Sequence, residues 1–116
     1  MTRERVDALL VPPFPMFGLQ RRRILDVAAQ HRLPVAATDV RRWVEDGALM
    51  FYGLSSTANN QRAAAYVDKI LKGANPGDLP MEQPMKFEPV INLKIAKTLG
   101  LPIPPHLLFQ ADEVIQ

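Results

Sequence analysis

The sequence predicts an α/β fold in which helices cover both faces of a largely parallel sheet. Short apolar runs of strand length alternate along the chain with segments whose apolar residues recur at helical spacing. The runs are apolar at nearly every position, which is typical of strands buried on both faces. Because 116 residues suffice for one domain with a real core, we expect residues 1–116 to form a single three-layer α/β domain with a parallel sheet.

The first strand and helix are predicted from residues 7–33. Residues 7–11 form a short apolar run that ends at Pro12 and Pro13, and residues 18–33 form an amphipathic helix. The helix carries its apolar side on Ile24, Val27, Ala28 and His31. Residues 34–37 predict the second strand.

A short helix and a third strand are expected next. Thr38 or Asp39 caps the helix, and Trp43 lies on its apolar face. Residues 48–52 predict the third strand, which Gly53 closes.

The longest helix is predicted to run from residue 60 to residue 72, behind the caps Ser56 and Thr57, and to end at Gly73. Its apolar face consists of Ala63, Tyr66, Val67, Ile70 and Leu71. A proline-rich segment follows.

Residues 87–91 predict a fourth strand that contains Pro89. Because proline lacks a ladder donor, this strand belongs at an edge of the sheet or carries a bulge, and we expect the edge position. Asn92 is expected to cap a helix that ends at Gly100. Pro105 opens a last helix, whose apolar stripe is Leu107, Leu108, Ala111, Val114 and Ile115.

Composition and motifs give little support for catalysis. The chain has no cysteine, which excludes thiol chemistry, and its two histidines lack metal-ligating neighbours at helical spacing. Ser55 and Ser56 stand outside a nucleophile elbow, and no glycine-rich phosphate loop is present. We therefore expect neither an enzyme nor a cofactor or metal site.

The 14 basic and 12 acidic side chains give a formal charge of only +2. Arg21, Arg22 and Arg23, with Arg41 and Arg42, could contact nucleic acid or form a solvated helix face. The nearby acidic residues and the lack of interleaved aromatic side chains favour the solvated face, so we expect no nucleic-acid partner. The longest early apolar stretch is too short for a membrane span or for a signal peptide, so we expect a soluble chain without an export signal of its own.

Ligands of open parallel sheets bind outside the carboxyl ends of the strands. Here those ends supply Pro13, Phe14, Thr38, Tyr52 and Gly53. These five residues are the candidate ligand-binding positions, although ordinary turns explain them equally well on chemistry alone.

Several segments also follow one another in the order of a known family. They include residues 8–13 (ALLVPP), 20–24 (QRRRI), 62–73 (RAAAYVDKILKG), 90–94 (VINLK) and 111–115 (ADEVI). Together they resemble the ABC-transporter substrate-binding proteins of the tryptophan/tyrosine type, across essentially the whole chain.

The resemblance implies an exported, two-lobed protein that delivers a small solute, such as an aromatic amino acid, to a membrane permease. It implies that this chain is the C-terminal part: most of the second lobe of a type I periplasmic binding protein, without the first lobe. Residues 54–84 would then be a hinge-crossing helix and its proline-rich return segment, and Tyr52 and Gly53 would lie on the ligand side. The family tends to have an acidic residue at Phe14 and a serine at Phe51. Because half a cleft also buries too little of a ligand's surface, we expect the isolated chain to bind aromatic amino acids weakly or not at all.

Three functions stay open. The first is a solute-binding component of an ABC transporter. The second is a small homo-oligomeric interaction protein without ligand binding, dimerised through the apolar face of the longest helix. An enzyme or regulator has the weakest support, and the cellular compartment is left open.

Overall fold

The structure, a computed structural model, describes residues 5–116 and divides them into two compact units. The sheet unit comprises residues 5–53 and 88–116, and the helical unit comprises residues 54–87. In chain order the elements are β1 (Leu9–Val11), α1 (Pro15–Leu19), α2 (Arg21–Gln30), β2 (Val35–Ala37), α3 (Arg42–Glu45), β3 (Met50–Leu54), α4 (Ser56–Leu71), a 3₁₀ turn (Pro76–Asp78), β4 (Phe87–Asn92), α5 (Leu93–Leu99), α6 (Pro105–Gln110) and β5 (Glu113–Ile115).

The five strands form one sheet in the order β1-β2-β3-β4-β5, with helices against it. The pairs β1–β2, β2–β3 and β4–β5 are parallel. Between β3 and β4, Asn92 N donates to Leu49 O while Ser55 N donates to Lys86 O. Residue numbers therefore rise along β3 as they fall along β4, so this pair is antiparallel and the sheet is mostly, not wholly, parallel.

The predicted edge position of the Pro89 strand is wrong, because β4 lies between β3 and β5. Lys86 and Asn92 both bond toward β3, and Pro89 lies three positions from each, so the alternation of the strand turns Pro89 to the β5 side. There the ladder begins only at Val90. The Pro89 carbonyl accepts a hydrogen bond from Asp112 N at 2.8 Å. Because the ladder to β5 begins at the next residue, no N–H donor is needed at Pro89.

The core of the sheet unit lies mainly on one face. Leu25 and Ala28 of α2 and Trp43 of α3 pack with Val11 and Val35 of the sheet, and all five are buried. A second buried cluster consists of Val44, Phe51 and Val90, with Ile115 packed against it. Burial of this kind contributes about 1.5–3 kcal/mol for each large apolar side chain.

The first two helical predictions need correction. The single helix predicted over residues 18–33 is two helices, α1 and α2, because Pro15 starts a helix earlier and Gln20, at φ −98° and ψ 13°, interrupts it. The cap predicted at Thr38 or Asp39 is also wrong, since α3 follows Arg41 and has no side-chain cap.

Two other helix ends were predicted from capping chemistry. Asn92 caps α5, its Oδ1 accepting from Ile95 N, and its Nδ2 donates to Val44 O, so this buried side chain is well satisfied. Gly100 ends α5 in the left-handed region at φ +70°. At α4 the cap is Ser55, whose Oγ accepts from Ala58 N, one residue before the predicted caps.

The last predicted helix is too long. It ends at Gln110, and Val114 and Ile115 belong to β5, where they pair with Ile91 and Asn92. The stripe from Leu107 to Ile115 thus splits between a helix and a strand, because pairing with β4 prevails over the local helical spacing.

In the helical unit, α4 is fastened to the return segment by a small group of contacts. Arg62 makes a two-point ion pair with Glu82, and the Tyr66 hydroxyl donates to Pro80 O at 2.6 Å. The Arg62 guanidinium and the Lys69 ammonium lie 5.7 and 5.6 Å from the centre of the Tyr66 ring. We call these five residues the clasp.

Candidate functional site

The carboxyl ends of β1 and β2 are joined at Thr38. Its backbone N–H and its hydroxyl both donate to Val11 O, at 3.2 and 3.3 Å. The hydroxyl that was expected to cap a helix therefore ties the end of β2 to the end of β1, just before Pro12 and Pro13.

Gly53 completes this edge at the end of β3, and its lack of a side chain has a structural reason. A Cβ placed on Gly53 would lie 2.7 Å from Thr38 O and equally close to the Phe51 ring. The edge thus requires glycine here because the strand backbones approach each other closely. Thr38 and Gly53, both predicted site residues, are brought together.

Phe14 and Pro13 lie on the exposed turn after β1. Phe14 is the residue before α1 and is 54% exposed, and its ring contacts the Phe17 ring at a centroid distance of 5.9 Å. The turn thus presents an uncharged aromatic surface.

Tyr52 is half-exposed and belongs to the opposite face of the sheet from Phe51 and Gly53, since side chains alternate along β3. It lines an apolar cavity of about 220 Å³ together with residues of β4 and α6, among them Leu107 and Gln110. Sequence reasoning missed these partners. The sequence feature that pointed to these residues was the apolar stripe after Pro105. It indicated a helix but not the surface against which that helix packs.

The arginine cluster lies at the start of α2 and beside α3. Arg21 pairs with Asp46 at 2.5 Å, and this hydrogen bond lowers the pKa of the Asp46 carboxyl. Arg22, Arg23 and Arg42 are exposed. Arg21 thus differs from its neighbours, whereas the expectation that Arg22 and Arg23 form a solvated helix face agrees with their exposure.

The helix proposed as a dimer contact exposes most of its predicted apolar face. Val67, Ile70 and Leu71 are 55%, 40% and 81% exposed, Ala63 is exposed, and Tyr66 is half-buried in the clasp. Within the helical unit, no residue of α4 is buried.

Across residues 5–116, no set of three or more potential ligands of the histidine, cysteine or carboxylate type is grouped for a metal ion. The helices of these same residues include none with the length and apolarity needed to span a membrane.

Residues 4–115 match the family model described as ABC transporter substrate binding protein. Because the match covers nearly the whole chain, this protein belongs to that family. No curated protein matches the chain.

Three solved structures are similar along the chain. A conserved domain protein from Vibrio cholerae is 27% identical with a TM-score of 0.82, over 96% of this chain and 37% of its own. An ABC domain in complex with L-Trp from Streptococcus pneumonia is 27% identical with a TM-score of 0.84, and the match covers 98% of this chain and 38% of that chain. A ligand-free, open substrate-binding protein with adhesive properties from Clostridium difficile is 24% identical with a TM-score of 0.71, over 97% and 37%, and supports the fold alone. This chain therefore spans little more than a third of each of those chains.

Proposed function

We propose that this chain acts as one lobe of an ABC-transporter solute-binding protein, holding a small solute for delivery to a membrane permease. The observation that carries the proposal is the edge formed by Thr38 and Gly53, which stands at the carboxyl ends of parallel strands in a chain of this family. The chain corresponds to most of the second lobe, and the remaining lobe comes from polypeptide outside this sequence. Its role is binding, not catalysis.

Pro13, Phe14, Thr38 and Gly53 form the side of the cleft contributed by this lobe, while Tyr52, the fifth predicted position, points to the other face of the sheet. The setting is uncharged and aromatic, which suits a solute with an aromatic ring. L-Trp, the molecule bound in the Streptococcus pneumonia structure, is the first solute to test. One lobe leaves half of such a solute in water, whereas good sites bury about 70–90% of the ligand surface, so the chain alone binds it weakly.

Residues 54–84 are proposed as the hinge-crossing helix and return segment. The uncovered side of α4, with Val67, Ile70 and Leu71, supports this role, since an apolar helix side of this kind is normally covered by a partner surface. The first lobe of the same binding protein is the occupant we propose for it.

A chimera tests this function. The matched 38% of the Streptococcus pneumonia protein is replaced by this chain, and L-Trp binding is measured by calorimetry. We expect the chimera to bind L-Trp at least about tenfold more tightly than the chain alone. A folded, monomeric chimera that binds none of the twenty amino acids would show that this lobe does not hold such solutes.

A second candidate is a homodimer in which two copies cover each other's α4. The same exposed side chains favour it, because burying Val67, Ile70 and Leu71 could contribute on the order of 5 kcal/mol. Light scattering at tens of micromolar distinguishes the two candidates. If the dimer forms, the measured mass of the wild type is twice that of the chain. The double variant Val67→Asp with Ile70→Asp then has the mass of a single chain.

The matched control introduces the same two charges on the polar side of α4. Thr57→Asp with Gln61→Asp adds acidic groups at exposed positions in the N-terminal half of the helix, and the one at position 57 lies in the first turn, where it suits the helix dipole. A dimer through the apolar side would survive this pair of changes. A monomeric wild type would exclude the dimer and leave the first lobe as the partner of α4.

A further inference from the structure

The cavity behind Tyr52 lies wholly within the sheet unit. β3 contributes Met50 and Tyr52, β4 contributes Ile91, and the segment that leads into α6 contributes Ile103. Leu107, on α6, also lines it. The lining residues thus come from three parts of the chain that surround a space of about 220 Å³.

The volume fits a single aromatic ring. An apolar cavity of about 150 Å³ holds a benzene molecule, so 220 Å³ admits a ring with a short substituent. The cavity is partly open at the surface, where Tyr52 and Leu107 are about half-exposed, so a small molecule has a way in.

The lining also limits the charge of an occupant. None of the described residues that line the cavity carries a formal charge, and nearly all are apolar. A carboxylate or ammonium entering it would lose water without gaining a counter-ion, which is costly. Two lining residues, Tyr52 through its hydroxyl and Gln110 through its amide, carry groups that can both donate and accept a hydrogen bond.

A second apolar groove, beside β1, gives a useful comparison. Its residues include Leu9, Leu10, Phe17 and Ile24, and it has a similar volume of about 180 Å³. All of its described lining side chains are hydrocarbon, so none of them offers a polar group for an occupant to bond.

From these observations we infer that the α6 cavity is a binding site for a neutral molecule with one aromatic ring and one hydrogen-bonding group. The site is distinct from the cleft edge formed by Thr38 and Gly53. All of its walls that the structure describes belong to the sheet unit, so we expect it to bind without a second lobe. Binding at the α6 cavity therefore does not depend on the two-lobed function.

Benzyl alcohol is the probe that tests this site, and benzoate is its charged counterpart with the same ring. The full chain, labelled on its Ile, Leu and Met methyl groups, is titrated with each compound while methyl chemical shifts are followed. We expect saturable shifts at Met50, Ile91, Ile103 and Leu107 with benzyl alcohol, and at least about tenfold weaker binding of benzoate. Shifts centred on Leu9, Leu10 and Ile24, no saturable shift at millimolar concentration, or equal binding of benzoate would overturn the proposal.

A filled-cavity variant adds a second measurement. Leu107→Trp places a large ring at the mouth, on a helix with no buried residue, and is expected to weaken benzyl alcohol binding at least about tenfold. Leu10→Trp makes the same change at the groove beside β1 and is expected to leave binding within about twofold. Equal effects of the two variants would contradict the assignment, and the methyl shifts of the wild type decide the matter if Leu107→Trp does not fold.

Discussion

At the scale of single residues, the close approach of the backbone decides which side chains are tolerated at the carboxyl ends of the strands. Gly53 sits where a Cβ would contact both a carbonyl of the neighbouring strand and the buried Phe51 ring. The carbonyl belongs to Thr38, whose position is itself fixed by two hydrogen bonds to Val11. Neither neighbour can move aside easily, because one is backbone and the other is packed in the core.

Gly53→Ala is therefore expected to lower the free energy of unfolding by about 1–3 kcal/mol, the usual cost of overpacking. Gly18→Ala is the matched control, because its new Cβ would meet nothing closer than 3.8 Å and lies in α1. There alanine should stabilise the chain by about 0.4–1 kcal/mol. Urea unfolding followed by circular dichroism measures both, and an unchanged midpoint for Gly53→Ala would contradict the close approach.

At the scale of elements, the clasp holds an extended, proline-rich segment against α4 without a hydrophobic core. The bidentate bond from Arg62 lowers the pKa of the Glu82 carboxyl to about 2. Because the pKa of the folded state lies below that of the unfolded state, the stabilisation from Glu82 is present above about pH 4.5. It is lost as the pH falls through about 2.

The titration of Glu82 follows from this geometry. In the wild type its carboxyl carbon should titrate with a midpoint near pH 2, measured by carbon-detected NMR. Arg62→Gln removes the largest cause and should bring the midpoint back toward 4.5. Lys69→Gln removes a smaller electrostatic contribution and should move it less, so an equal effect of the two variants would argue against the bidentate pair.

At the scale of the whole molecule, burial is distributed unequally between the two units. Trp43, Phe51 and Val90 in the sheet unit are almost completely buried, whereas α4 in the helical unit has no buried residue. Local opening costs little free energy where few apolar contacts must be broken.

Hydrogen exchange should reveal this inequality. Backbone amides of α4 are expected to exchange faster than those of β2 and β3, although α4 is the longest element among the described residues. Exchange measured by mass spectrometry on the full chain provides the comparison. Uniform protection along the chain would mean that α4 is covered in solution, and dilution would then test whether a second copy covers it.

Local chemistry accounts for the parts of the fold that the sequence predicts well. The first three strands, the Asn92 cap and the Gly100 helix end each depend on neighbouring residues, and each is found within about two residues of its predicted position. The family resemblance, carried by short segments in order, is likewise confirmed by the family match.

Contacts between residues far apart in the sequence determine the features that local patterns do not predict. Whether Pro89 is tolerated depends on which partner strand it faces, and that depends on how β4 pairs with β3 and β5. The cavity behind Tyr52 is similarly beyond local reasoning, because its walls come from segments far apart in sequence. Even the predicted site residues separate across the sheet, since adjacent Tyr52 and Gly53 point to opposite faces.

The outer edge of β1 has a consequence for handling the protein. Leu9 N and Val11 O bond toward β2, so the backbone groups of Leu10 between them face away from the sheet, and the Leu10 side chain is 68% exposed. β1 contains neither a charged residue nor a proline that would discourage another strand from pairing there. The three-residue length of β1 and the two prolines directly after it are what limit such pairing, so we expect replacement of Pro12 and Pro13 by residues that lengthen the strand to bring slow turbidity on storage.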